Sequence, residues 1–144
     1  MRLIYSLQED LGAHPQRVAD TQALTLDKRR PFGLNGTYGL FGSPEWWTNI
    51  ERGVAPVQIL AGEITRIYRE GMHNESQGFE MSLDDGTLFT YGCLANRRKD
   101  LSAYQVGKRI EFEMMFDPFK NPTPGPTGEL ETHSKVVLKV LVSE

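Results

Sequence analysis

The sequence has few of the residues that most catalytic and metal sites require. Its 144 residues include one cysteine, Cys93, which excludes an intramolecular disulfide and a cysteine cluster for zinc. The three histidines, His14, His73 and His133, lie far apart, and no two of them have the spacing of paired metal ligands. We therefore expect no catalytic residue, no metal and no cofactor, and we interpret Cys93 as a buried, reduced thiol.

The chain also lacks a long apolar run. Near the N-terminus, Glu9 and Asp10 interrupt the apolar residues before the core of a signal peptide could form. No later stretch approaches the roughly 20 apolar residues that a membrane span needs. The sequence therefore predicts a cytoplasmic protein with no membrane segment.

Positive charge is not in excess. Sixteen basic residues stand against 19 acidic ones, which gives a formal net charge of -3. Such a chain has no global basic field to attract nucleic acid or an anionic membrane, so we expect the partner to be another protein. The length suits one compact domain over residues 1–144.

The first 42 residues show no sustained periodicity. They contain Pro15, Pro31 and several glycines, which predicts an irregular segment with one short strand in "RLIYSL". The basic run "DKRR" at 27–30 is typical of a solvated loop.

The stretch "SPEWWTNIERG", residues 43–53, has the signals of a short helix. Ser43 can accept a hydrogen bond from a free amide of the first turn, and Pro44 suits the first helical position. Glu45 lies at the positive end of the helix dipole, and Gly53 can end the segment. These signals predict a helix at about 44–52.

Five later segments have strand patterns. The first, 57–68, places Val57, Ile59 and Ala61 on one side, and Ile64 breaks this alternation beside Gly62, which indicates a bulge. The others are "GFEMSL" (78–83), "TLFTYG" (87–92), "RIEFEMMFD" (109–117) and "KVVLKVLV" (135–142).

The order of these segments predicts a mainly β fold. We expect a small antiparallel five-stranded barrel of the OB-like type over 57–144, with an SH3-like barrel or a curled sheet as alternatives. A short helix or turn is expected between the third and fourth strands, within 93–107. The proline-rich stretch 118–134 is expected to form a long, extended, mobile loop.

Trp46 and Trp47 are the only tryptophans, and both lie on the predicted helix. Trp46 shares a face with Ile50, four residues on, whereas Trp47 lies about 100° further round the axis. We expect Trp46 to close one end of the barrel and Trp47 to be partly exposed, where a partner could bind. The alternative is that both rings belong to the core.

An OB-like barrel suggests single-stranded nucleic-acid binding as a second function. Such binding needs exposed aromatic rings beside basic side chains, and the candidates are Tyr68, Phe79, Phe89, Tyr91, Arg97, Arg98 and Lys99. Phe79 occupies an alternating core position, and nearby carboxylates such as Glu63 and Glu80 would repel phosphate. The candidate binding residues overall are Trp46, Trp47, Tyr68, Tyr91, Arg97 and Arg98.

Several motifs together resemble those of a family of small bacterial proteins. "GSPEWW", "PVQILAGEITRIY", "GFEMSLDDG" and "YQVGKRIEF" resemble a GS-x-x-WW segment followed by G-x-I-x-x-VY, FE-x-x-x-DDG and Y-x-VG-x-x-V strands, across residues 39–142. Ile67 stands where the family pattern has Val. The resemblance implies no established activity and no catalytic residue.

The function that these observations favour is a non-enzymatic protein-binding module. Small acidic proteins without a catalytic set include immunity proteins, which neutralise a toxin by covering its active site. An acidic surface would suit a basic nuclease toxin, because complementary charge speeds association. The alternatives are a single-stranded nucleic-acid-binding domain and a small enzyme.

Overall fold

A computed structural model describes residues 1–71 and 76–144. Its elements are β1 (Arg2–Ser6), α1 (Leu7–Ala13), α2 (Pro15–Leu26), α3 (Pro44–Glu51), β2 (Val57–Glu70), β3 (Ser76–Leu83), β4 (Leu88–Gly92), a 3₁₀ helix (Arg98–Ala103), β5 (Arg109–Pro124) and β6 (Leu130–Val142). His73, one of the three histidines considered above, lies outside the described residues.

One six-stranded sheet contains all the strands, in the order β1-β6-β5-β2-β3-β4. The prediction of a mainly β, antiparallel, barrel-like fold is confirmed. The strand number of five is wrong, because "RLIYS" pairs antiparallel with β6, from Arg2 opposite Val142 to Ser6 opposite Lys139. The OB-like arrangement stays a prediction.

The expectation of an irregular N-terminal segment over 1–42 is wrong for the part that forms α1 and α2, whereas the short strand predicted in "RLIYSL" is confirmed as β1. Pro15 begins α2 at a position where the missing N–H has no intrahelical partner to lose. The helix buries none of its residues and has no side-chain cap at its N-terminus, so neither an apolar stripe nor a capping signal marked it in the sequence. Residues 27–43 are irregular, as expected.

The chain divides into two compact units. Unit 1 comprises Met1–Asp10, Ile59–Glu113 and Val137–Glu144; unit 2 comprises Leu11–Gln58 and Met114–Val136. The fully buried side chains of unit 1 include Leu7, Ile64, Phe79, Met81, Ile110, Phe112, Val140 and Val142. Those of unit 2 are Trp46, Met115 and Asp117.

In unit 1 the predicted irregularity of the long strand is confirmed. The pairing of β2 with β3 shifts register between Ile64 and Arg66. A side chain at Gly62 would overlap the carbonyl oxygen of Ser82, so the backbones approach more closely there than any other residue would allow.

The predicted inward face at the start of β2 is wrong. Val57 and Ile59 are exposed, with 38% and 61% of their surface accessible. The paired part of β2 and β3 begins only at Gly62, so the first residues of β2 extend beyond the end of β3.

In unit 1, the Asn96 side chain forms hydrogen bonds with the edge strand β1 in the way that a neighbouring strand would. The Asn96 amide nitrogen donates to Ser6 O at 3.1 Å, and Ser6 N donates to Asn96 Oδ1 at 2.7 Å. The Asn96 backbone N–H also donates to Ile4 O. The segment after β4 therefore satisfies polar groups along the outer edge of β1.

The proline-rich stretch 118–134 is not the predicted loop, because β5 runs to Pro124 and β6 begins at Leu130. The sequence positions of Pro118, Pro122 and Pro124 differ by even numbers. Backbone N–H groups at such positions point to the same edge of a strand, so the three missing N–H groups fall on one edge of β5. Lys120 N donates to Gly33 O on that same edge, away from β6. The prolines therefore leave the ladder to β6 intact.

Lys120 also fixes the end of α2 within unit 2. Its ammonium group donates to the carbonyl oxygens of Leu24 at 2.7 Å, Asp27 at 3.0 Å and Arg30 at 3.3 Å. These carbonyls include the end of the helix, where the dipole favours a cation. A residue nearly 100 positions away thus determines where α2 ends.

We predict that Lys120→Met lowers the free energy of unfolding by about 2–3 kcal/mol, because three carbonyl groups lose one charged donor. The exposed Lys139→Met is the matched control and should change it by less than about 0.5 kcal/mol. Urea denaturation followed by circular dichroism measures both. Equal effects of the two substitutions would contradict the capping role.

Candidate functional site

The helix that carries the two tryptophans forms as its local sequence predicts. α3 covers Pro44–Glu51, and the Ser43 hydroxyl accepts a hydrogen bond from Trp46 N at 3.2 Å. Gly53 follows the helix with φ +74°, a conformation that other residues rarely adopt. The prediction of a helix at about 44–52 is confirmed.

Trp46 is completely buried in unit 2, as predicted. Its indole N–H donates to Asp117 Oδ2 at 3.0 Å, and its ring centroid lies 5.0 Å from that of Phe41. A buried tryptophan needs an acceptor for its N–H, and β5 supplies one here. The side chain is therefore fixed by both packing and a directed hydrogen bond.

Asp117 is the residue that the sequence analysis missed. The expected alternation of β5 placed Phe116 inward, but Met114 and Met115 are both buried, so the parity changes there and Asp117 faces inward with 1% exposure. The sequence did contain a signal for a buried Asp117. It is an acidic residue directly after an apolar strand pattern, in a chain with two tryptophan N–H donors.

Burial of the Asp117 carboxyl group disfavours its charged form. Burial raises its pKa above the ordinary value of 3.8, while the hydrogen bond from Trp46 and the charge of His133 act in the opposite direction. Oδ1 has no hydrogen-bond partner among the described residues. Only one of the two carboxyl oxygens is thus compensated.

Trp47 is half-buried, as predicted. Its ring meets the ring of Trp46 edge-on, with centroids 4.9 Å apart and planes at 82°. This T-shaped geometry is favourable for aromatic pairs. Part of the Trp47 indole therefore remains accessible beside a ring that cannot move.

Tyr68, in unit 1, is less available for base stacking than the sequence suggested. The guanidinium group of Arg66 lies 4.7 Å from the centre of its ring, and the ring covers Gly78 on the neighbouring strand, where an added Cβ would meet the ring. These contacts occupy much of the ring surface that a nucleobase would need.

Tyr91 does not share a face with Tyr68. Tyr68 pairs with Gly78 and Tyr91 pairs with Phe79, and consecutive residues of β3 point to opposite faces. The Tyr91 ring packs 5.0 Å from Phe112, centroid to centroid. The structure therefore places the two tyrosines apart, and Phe79 is in the core as predicted.

Arg97 and Arg98 are exposed at the start of the 3₁₀ helix. The presence of this helix confirms the short helix or turn predicted between the third and fourth of the expected strands. Arg97 lies 3.9 Å from the Glu9 carboxylate. A contact this long between exposed groups contributes little to stability, so both guanidinium groups remain able to contact a partner.

The structure offers little to a nucleophilic or metal mechanism. Burial and the charge of Glu70 raise the pKa of the Cys93 thiol to about 12, so the thiol is protonated at neutral pH. No cluster of histidine, cysteine and acidic residues that could hold a metal occurs within 1–71 and 76–144. Nor is any helix of this part long and apolar enough to cross a membrane.

Comparison with known families decides what kind of protein carries this site. Residues 1–143 match the family described as immunity protein RhsI2. The chain belongs to the RhsI2 immunity protein family. A comparison with individual curated proteins finds no match.

Membership confirms the expectation of a toxin-neutralising immunity protein that acts by binding another protein. The resemblance to a small bacterial family is confirmed too, but the implication that the family has no established activity is wrong. In an immunity protein, the residues of interest are those that contact the toxin. The Trp47 side chain is partly accessible, whereas Trp46 and Asp117 are buried.

We predict that Asp117→Asn becomes progressively more favourable than the native residue as the pH rises above about 4. A carboxyl group whose pKa is raised by folding contributes stability below its unfolded pKa and loses that contribution as the pH rises through the folded pKa. Asparagine keeps an acceptor for Trp46 and never ionises. Urea denaturation of both proteins between pH 3 and 7 measures the difference.

Asp84→Asn is the control, because its effect on stability should change with pH in the opposite direction. The hydrogen bond from Arg109 lowers the pKa of Asp84, so this carboxylate contributes stability above its unfolded pKa and loses it as the pH falls. Asp84→Asn should therefore become less favourable as the pH rises from about 2 to 4. Parallel pH profiles for the two variants would contradict the assignment for Asp117.

Proposed function

We propose that this immunity protein occludes its toxin through the exposed face of α3, with Trp47 as the central contact. The observation that carries the proposal is the Trp47 ring, which is partly accessible and held edge-on against the completely buried Trp46. Tryptophan is enriched among the residues that dominate binding energy at protein interfaces.

The arrangement reduces the entropic cost of binding. Trp47 N donates to Ser43 O in the first turn of α3, and the Trp46 ring beside it is fixed by Asp117. A ring that is already ordered loses little freedom when a partner covers it. The buried hydrogen bond thus supports binding without touching the toxin.

Charge favours a toxin with a basic surface. The net charge of -3 would speed the approach of a positively charged protein, as expected for a nuclease toxin. Arg97 and Arg98, which are exposed in unit 1, are proposed as further contacts with the toxin, and Tyr68 and Tyr91 as lesser candidates because their rings are engaged within unit 1. We further propose a single-domain protein that acts in the cytoplasm.

We predict that Trp47→Ala weakens binding of the cognate toxin by about 100-fold, as loss of a central aromatic contact does. Trp47→Phe, which keeps a smaller ring, should weaken binding by about tenfold. Isothermal titration calorimetry with purified toxin measures both. The control Phe32→Ala removes another exposed aromatic ring of unit 2, and an equal loss there would contradict a specific role for Trp47.

We predict that the association rate with the toxin falls at least tenfold between about 50 and 500 mM salt, whereas the dissociation rate changes little, because salt screens long-range attraction. Surface plasmon resonance measures both rates. A salt-independent association rate would contradict a basic toxin surface. Tight binding of labelled oligonucleotides with no binding of the toxin would favour the nucleic-acid alternative instead.

A further inference from the structure

The two edge strands of the sheet, β1 and β4, are treated differently in unit 1. β1 has its outer edge covered by Asn96, as described above. β4, Leu88–Gly92, is the last strand at the other end of the order, and no other strand of the described residues pairs with its outer edge. An uncovered edge is a row of unpaired donors and acceptors.

The pairing of β4 with β3 shows which backbone groups face outward. Leu83 N donates to Thr87 O and Cys93 N donates to Gln77 O, both at 2.8 Å. Because hydrogen-bonded pairs alternate in an antiparallel ladder, the groups of Phe89 and Tyr91 face β3. The N–H and C=O groups of Leu88, Thr90 and Gly92 therefore point away from the sheet.

The edge lacks three features that commonly prevent strand addition: a charged residue, a proline and a bulge. The sequence of β4, "LFTYG", has no charged residue and no proline, in a chain where 24% of residues are charged. The register of its pairing is continuous from Gly78–Gly92 to Ser82–Leu88, without a bulge. Leu88 and Thr90 are exposed, Leu88 by 63%.

The two faces of β4 differ in what they offer. Phe89 and Tyr91 pack against Phe112 on the inner face. Leu88 and Thr90 project from the outer face, where an apolar or β-branched residue of an added strand would lie beside them. The geometry thus suits an extended peptide better than a globular surface.

We propose that β4 receives an extended segment of the partner toxin as a seventh strand of the sheet, which rests on the proposed toxin-binding function. The outward groups of Leu88, Thr90 and Gly92 bind the backbone of about four or five toxin residues. The occupant is a strand because only an extended backbone pairs with such an alternating row of donors and acceptors. Thr90 lies at its centre.

Thr90→Pro tests the strand pairing. Proline removes the outward N–H and places its ring in the path of an added strand, yet leaves the ladder to β3 intact. We expect it to weaken binding of the cognate toxin by more than about tenfold. The matched control Thr90→Val keeps the backbone and the β-branched shape, and should bind within about twofold of the native protein.

Hydrogen exchange of the native protein gives a second measurement that does not depend on how the proline variant folds. The amides of Leu88, Thr90 and Gly92 should exchange rapidly in the free protein and slow at least tenfold in the complex. Amides that stay unprotected, or a well-folded Thr90→Pro variant with native affinity, would overturn strand addition while Trp47-dependent binding could still stand.

Each of the other possible results of these experiments also supports or overturns the proposal. If the free protein is a dimer that Thr90→Pro converts to a monomer in light scattering, the edge binds a second copy of this chain and the assignment to the toxin is overturned. If the native protein does not bind the toxin at all, the proposed function itself fails. Loss of binding in Thr90→Pro but not in Thr90→Val, with protected amides, supports the proposal.

Discussion

The hydrogen bond from the Trp46 indole to Asp117 is the constraint on which unit 2 depends. It joins α3 to β5 across 71 residues of sequence, inside a site where neither side chain is exposed. A buried carboxyl group with one unsatisfied oxygen is costly, and the burial of a complete tryptophan offsets that cost. The half-buried ring of Trp47 packs edge-on against this buried pair.

The same unit shows how one strand organises a segment that has little regular structure. Residues 27–43 bury few large side chains, yet Lys120 and Asn121 bind carbonyl groups at both ends of the 27–31 turn. The bonds between residues 33–35 and 118–120 add a short stretch of backbone pairing. Order in this region therefore comes from β5 rather than from local propensity.

How far sequence predicts such a structure depends on where each signal lies. α3 was predictable because Ser43, Pro44 and Gly53 act on their immediate neighbours. α2 was not, because its end is set by Lys120 and its apolar residues form no stripe. Asp117 was missed because two successive buried methionines reverse the alternation of β5, which only tertiary packing decides. Likewise, Trp47 could be proposed from sequence, but an uncovered β4 edge requires the pairing to be known.

Placing both tryptophans on one turn of one helix has a spectroscopic consequence. All the indole fluorescence of the chain arises from α3, from one ring beside a buried carboxyl group and another at the surface. Emission should therefore report events at this helix. The native tryptophans therefore serve as an intrinsic fluorescent probe at the helix where a toxin is expected to bind.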